Sequence, residues 1–75
     1  MKEQKEILEQ QLQWTKEQIK ILEEMDGILQ VMKSLAEYAA GNDLSIEEVE
    51  KLNGQLKDLQ IEYNVLEAQR NINFH

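Results

Sequence analysis

Between Leu44 and Leu66 the apolar residues fall at Val49, Leu52, Leu56, Leu59, Tyr63 and Leu66, in alternating steps of three and four. That spacing lays one narrow stripe along one face of an α-helix, the pattern of a coiled-coil seam. The start of this helix is written just ahead of it. Ser45 occupies the N-cap position, Glu48 follows three residues later, and Leu44 and Val49 flank them, which together make a capping box with a hydrophobic staple. A stripe of this kind needs a second helix to cover it.

From Lys2 to Ala40 nothing stops a helix outright. Ile7, Leu8, Leu12, Thr15, Ile19 and Leu22 open an apolar stripe, with Trp14 and Ile21 widening it on one side. Met25, Ile28, Leu29, Met32, Leu35, Ala36 and Ala39 continue it, but the steps from Leu22 to Met25 to Ile28 are three plus three, which predicts a local register change. Asp26-Gly27 lies at this slip. Either one long helix runs through with room for a kink, an interior glycine costing about 1 kcal/mol, or Asp26 caps a new helix. Continuity is the better expectation, because two residues cannot reverse the chain and no other loop former accompanies them.

Ala40-Gly41-Asn42-Asp43 ends the first helix. Gly41 suits the left-handed C′ position, and Asn42 and Asp43 are turn formers. A connection this short makes the two helices antiparallel neighbours. The prediction is therefore an all-α, coiled-coil-like antiparallel helical hairpin forming one domain over residues 1–75, with helices at about 2–40 and 45–71, a turn at 41–44 and a tail at 72–75. Folding at Asn42 pairs Ala36 with Val49, Leu29 with Leu56, Leu22 with Tyr63 and Ile19 with Leu66.

The arms are unequal, about 58 Å against about 40 Å at 1.5 Å per residue. Residues before about Thr15 overhang the second helix, leaving Ile7, Leu8, Leu12 and Trp14 wet unless Ile72 and Phe74 extend the shorter arm. The second helix also carries Ile61, Val65, Ala68 and Ile72 in a four-three-four series nearly opposite its first stripe. Gly54 lies on that face, where two backbones could approach. A helix apolar on two sides is covered on two sides, one by its own hairpin and the other most simply by another chain. The expected state is a homo-oligomer, a dimer in a four-helix arrangement, with Ile7, Leu8, Leu12, Trp14, Ile21, Ile61, Val65, Ala68 and Ile72 as its interaction and self-association residues. Trp14 is expected to touch another chain, and Tyr38 to pack half-buried beside the turn.

Composition points the same way. A chain of 75 residues buries only about 60% of its unfolded surface, so it needs a staple. It has no cysteine and a single histidine, the terminal His75. Disulfides are excluded and structural zinc lacks its usual ligands, which leaves oligomerisation. A net charge of −7 opposes binding to nucleic acid or an anionic bilayer, the only contrary feature being Lys2, Lys5, Lys16 and Lys20. With no apolar run long enough to span a bilayer and no signal-peptide core after Met1, a cytoplasmic location is expected and no membrane partner.

Catalytic and metal chemistry find no foothold. The Glu-x-x-His motif of carboxylate metal sites is absent, since Ile72 stands three residues before His75. Gly41 to Glu48 does not follow the calcium-loop pattern, and capping already explains Ser45 and Glu48. Thr15, Ser34 and Ser45 lie far in sequence from the one possible histidine base. Asp43, Glu47, Glu48 and Glu50 complement a helix N-terminus. No enzyme activity and no cofactor are expected. The functional expectation is a small acidic cytosolic protein–protein interaction module, an adaptor, regulator or chaperone-like subunit that self-associates and presents helix surfaces to a protein partner. The alternative is a purely structural homo-oligomerisation module with no heterologous partner.

Overall fold

The structure, a computed structural model, describes residues 2–72, with side chains described over 3–70. Two helices, α1 (Lys2–Gly41) and α2 (Ile46–Ile72), fold back on one another as an all-α hairpin. No strand occurs among the described residues. The molecule measures 65 × 18 × 13 Å, with a radius of gyration of 18.5 Å, where a compact chain of this length would have about 11 Å. It is a rod two helices thick.

The α1 helix runs unbroken through Asp26-Gly27. Asp26 turns outward and its Oδ2 accepts a hydrogen bond of 2.9 Å from Gln30 Nε2, so it does not cap a new helix. A Cβ added at Gly27 would meet nothing within 4 Å. At its far end the helix goes one residue beyond the expected stop, and Gly41 is not left-handed, since no glycine among the described residues has positive φ. The reason is Asn42, whose Nδ2 donates to the Tyr38 carbonyl at 2.8 Å. The side-chain amide satisfies a terminal carbonyl that a left-handed residue would otherwise have bonded through its N–H.

Ser45 caps α2 as its sequence requires. Its Oγ accepts from Glu48 N at 3.2 Å, and its carbonyl accepts the first helical bond from Val49 N at 3.0 Å. Such a cap is worth about 1 kcal/mol. The exposed Lys33–Glu37 pair, at 4.0 Å, adds at most a few tenths of a kcal/mol, so the fold rests on the seam between the helices.

That seam is regular, and on α1 it is not the one expected. The α1 residues turned toward α2, buried or half-buried, are Trp14, Gln18, Ile21, Met25, Ile28, Met32, Leu35 and Ala39. They form an unbroken four-three repeat with no slip at Asp26-Gly27. Ile19, Leu22, Leu29 and Ala36, which were expected to pair with α2, are exposed. The apparent register change comes from reading two neighbouring stripes as one. Its cause lies in the turn: with helix through Gly41 and α2 beginning at Ile46, the chain folds between Asp43 and Leu44 rather than at Asn42. Folding later by about one residue moves each partner on α1 later by about two, so that by count Ile21 replaces Ile19 opposite Leu66, Met25 replaces Leu22 near Tyr63 and Met32 replaces Leu29 near Leu56. On α2 the stripe is as read from Leu52 onward, with Leu52 buried and Leu56, Leu59, Tyr63 and Leu66 half-buried, but Val49, its expected first member, is exposed.

Candidate interaction surfaces

Little of the chain's apolar surface is used by the seam. Among the described residues only Met25 and Leu52 are buried apolar side chains. The solvent-accessible surface is 6483 Å², where a compact monomer of this mass would expose about 4,800 Å². The excess sits in three places.

The first is the start of α1. Running antiparallel from the turn, the 27 residues of α2 reach back about 40 Å, to the level of about Lys16. The α1 helix continues roughly 20 Å further. Ile7, Leu8 and Leu12 are exposed there, Leu8 by 65%. Trp14 is half-buried at the border and has an interaction of its own.

The second is a stripe beside the seam. Leu8, Leu12, Thr15, Ile19, Leu22 and Leu29 keep a four-three spacing one residue out of phase with the buried repeat, interrupted at Asp26. They therefore run along α1 about 100° round from α2, over about 32 Å. Leu12, Ile19, Leu22 and Leu29 are each exposed by 43–56%. Thr15 is satisfied within its helix, its Oγ1 donating to the Gln11 carbonyl at 2.8 Å. Gln18, a member of the buried repeat, is only 8% exposed, with no hydrogen-bond partner for its Nε2.

The third is a shallow hollow of about 570 Å³ on the opposite side of the hairpin, where Ile28 and Val31 of α1 face Leu59, Ile61, Val65 and Leu66 of α2. Gly27 opens it by offering no side chain, and Glu24 and Glu62 stand at its rim. Smaller hollows carry the same side toward the turn past Leu35, Gln55 and Tyr38. Tyr38 is 54% exposed, lining the last of these beside Leu52 and Lys51.

The expected interaction residues thus divide. Ile7, Leu8 and Leu12 lie on the exposed overhang, and Ile61 and Val65 at the hollow. Ala68 is exposed on the outer side of α2. Ile21 is half-buried in the seam rather than widening an outer stripe. Ile72 closes α2, and its side chain lies outside the described residues, as do Phe74 and His75. Nothing approaches Gly54 within 4 Å in the single chain. Sequence reasoning missed Gln18 and the Gly27–Val31 wall of the hollow. The first was detectable, because the buried repeat is continuous once a glutamine is allowed into it.

No group of three or more His, Cys, Asp or Glu side chains among the described residues could hold a metal ion. The Ser34 hydroxyl, like that of Thr15, is spent on its own helix, donating to the Gln30 carbonyl at 3.1 Å. No described helix is long and apolar enough to cross a membrane. The arrangement can therefore do one thing visibly, which is to offer apolar helix faces. Compared with family models, curated proteins and solved structures, the chain matches none.

Proposed function

We propose that this chain is a small acidic protein–protein interaction module that self-associates as a dimer and presents the remaining helix surface to a protein partner in the cytoplasm, as an adaptor, regulator or chaperone-like subunit would. The observation that carries the reading is the surplus of surface. Relative to a compact monomer the excess is roughly 1,700 Å² per chain, whereas a typical specific interface covers about 800 Å² on each side. One self-contact leaves a second apolar face uncovered, and uncovered patches beyond a few hundred Å² are characteristic of docking sites. Helix-in-groove binding is the mode that suits the hollow around Gly27. With Glu24 and Glu62 at its rim and a net charge of −7, it favours a helix that carries basic residues beside its apolar face.

A second reading has support in the regular spacing of the outer α1 stripe, which suits a straight helix of the same kind. In that reading all apolar faces are consumed by self-assembly and the chain is a structural oligomerisation module. Light scattering on the eluting protein at micromolar concentration, followed by co-purification with tagged chain, separates the two. Twice the 8.8 kDa chain mass, together with a bound protein lost on Val65→Asp but retained on Ala68→Asp, supports the interaction module. A larger closed assembly that retains nothing supports the structural reading, and a folded monomer with no partner overturns both.

A further inference from the structure

We infer that the second copy covers the Leu8–Leu22 stripe, its α1 lying antiparallel on this α1 in one register, with Leu8 opposite Ile19 and Leu12 opposite Thr15 of the other chain. This inference rests on the dimer proposed above and specifies its geometry. The reacting surfaces are identical by two-fold symmetry, so the contact closes on itself and cannot propagate.

Two features select the register. The first is Asp26, which lies on the course of the stripe between Leu22 and Leu29. A parallel in-register pair would set it against its own copy inside the interface, two like charges facing one another. A shift of one heptad in the antiparallel pair would set it against Leu8. In the register given, Asp26 lies outside the paired Leu8–Leu22 stripe, and its bond to Gln30 is undisturbed. Leu29 also lies beyond the overlap, and a single exposed leucine needs no cover.

The second is charge. Glu9 and Lys16 are exposed positions flanking the stripe on one side. The inferred register brings Glu9 of each chain to Lys16 of the other, two attractive pairs per dimer. The one-heptad shift would bring Glu9 to Glu23 and Lys16 to Lys16, which is repulsive throughout. At the ends of the overlap, Lys5 lies over Leu22 with its alkyl stem while its ammonium group reaches water.

The paired stripe runs from Lys5 to Leu22, a contact about 27 Å long on a rod about 10 Å across. That is at the small end for specific association, which predicts a dimer that dissociates on dilution. The hollow around Gly27, on the other side of the hairpin, stays free.

Charge exchange tests the register. Glu9→Lys and Lys16→Glu should each weaken dimerisation about tenfold at low salt, and the double variant E9K/K16E should return to within about threefold of wild type, since it restores both pairs. Additive weakening in the double variant, with wild type still dimeric, overturns this register while leaving the dimer standing. Orientation is read by thiol pairing, since the chain has no cysteine of its own. An equimolar mixture of Leu8→Cys and Ile19→Cys chains should oxidise mainly to the mixed disulfide. Self-paired Leu8→Cys as the main product shows a parallel dimer and overturns the inference. A wild type that is monomeric by light scattering fails the dimer reading itself, a result that neither substitution experiment could mimic.

Discussion

Two apolar stripes run along α1 with the same four-three spacing and one residue apart in phase. The inner one, from Trp14 to Ala39, lies against α2 and is buried or half-buried throughout. The outer one, from Leu8 to Leu29, is exposed along its length. By composition the outer stripe is the more regular seam, with leucine or isoleucine at most positions, while the inner stripe includes a glutamine and two methionines. Hydrophobic character therefore did not decide which of them α2 covers. The turn did, by setting the register in which α2 returns. A stripe left out by that geometry keeps its capacity to pack and becomes available to another chain.

The contrast breaks first at Leu52. Leu52→Ala, in the seam, should destabilise the hairpin by about 2–4 kcal/mol, whereas Ile19→Ala at dilutions where the chain is monomeric should cost under about 0.5 kcal/mol. Urea denaturation followed by circular dichroism measures both, and equal losses would mean that the two stripes are equally covered within one chain. Gln18→Leu sharpens the border between them. Removing an orphan buried donor should stabilise the diluted hairpin by about 1–3 kcal/mol.

Much of this was legible in the chain, and the parts that were not share a cause. The α2 stripe and the Ser45 cap were readable because each is a local pattern: periodicity along one helix, and an acceptor three residues from its donor. The α1 seam was misread because the choice between Leu22 and Met25, or Leu29 and Met32, depends on where the chain turns, which the periodicity of one helix does not encode. The candidate surfaces followed suit. Ile7, Leu8 and Leu12 were found because no placement of the shorter α2 could cover them. Ile21 was placed at the edge of the stripe because two neighbouring stripes were read as one, and Gln18 was passed over because a polar residue hides a heptad from a search for apolar ones.

Two smaller effects test the local elements that set the phase. Ser45→Ala should lower stability by about 1 kcal/mol, with fraying confined to the first turn of α2 in amide exchange. Gly27→Ala should raise it by about 0.5–1 kcal/mol, because a Cβ there meets open space in an unbroken helix. A loss on Gly27→Ala would place a partner's backbone, or a break in α1, at that point.

Sedimentation equilibrium of the wild-type chain over a concentration series, run beside Leu12→Asp, bears most directly on whether the outer stripe is a self-contact. The account predicts a reversible shift from one to two chain masses for the wild type, and a helical monomer at every concentration for Leu12→Asp. A wild type that stays at 8.8 kDa throughout, or a variant that dimerises as well as its parent, would contradict it.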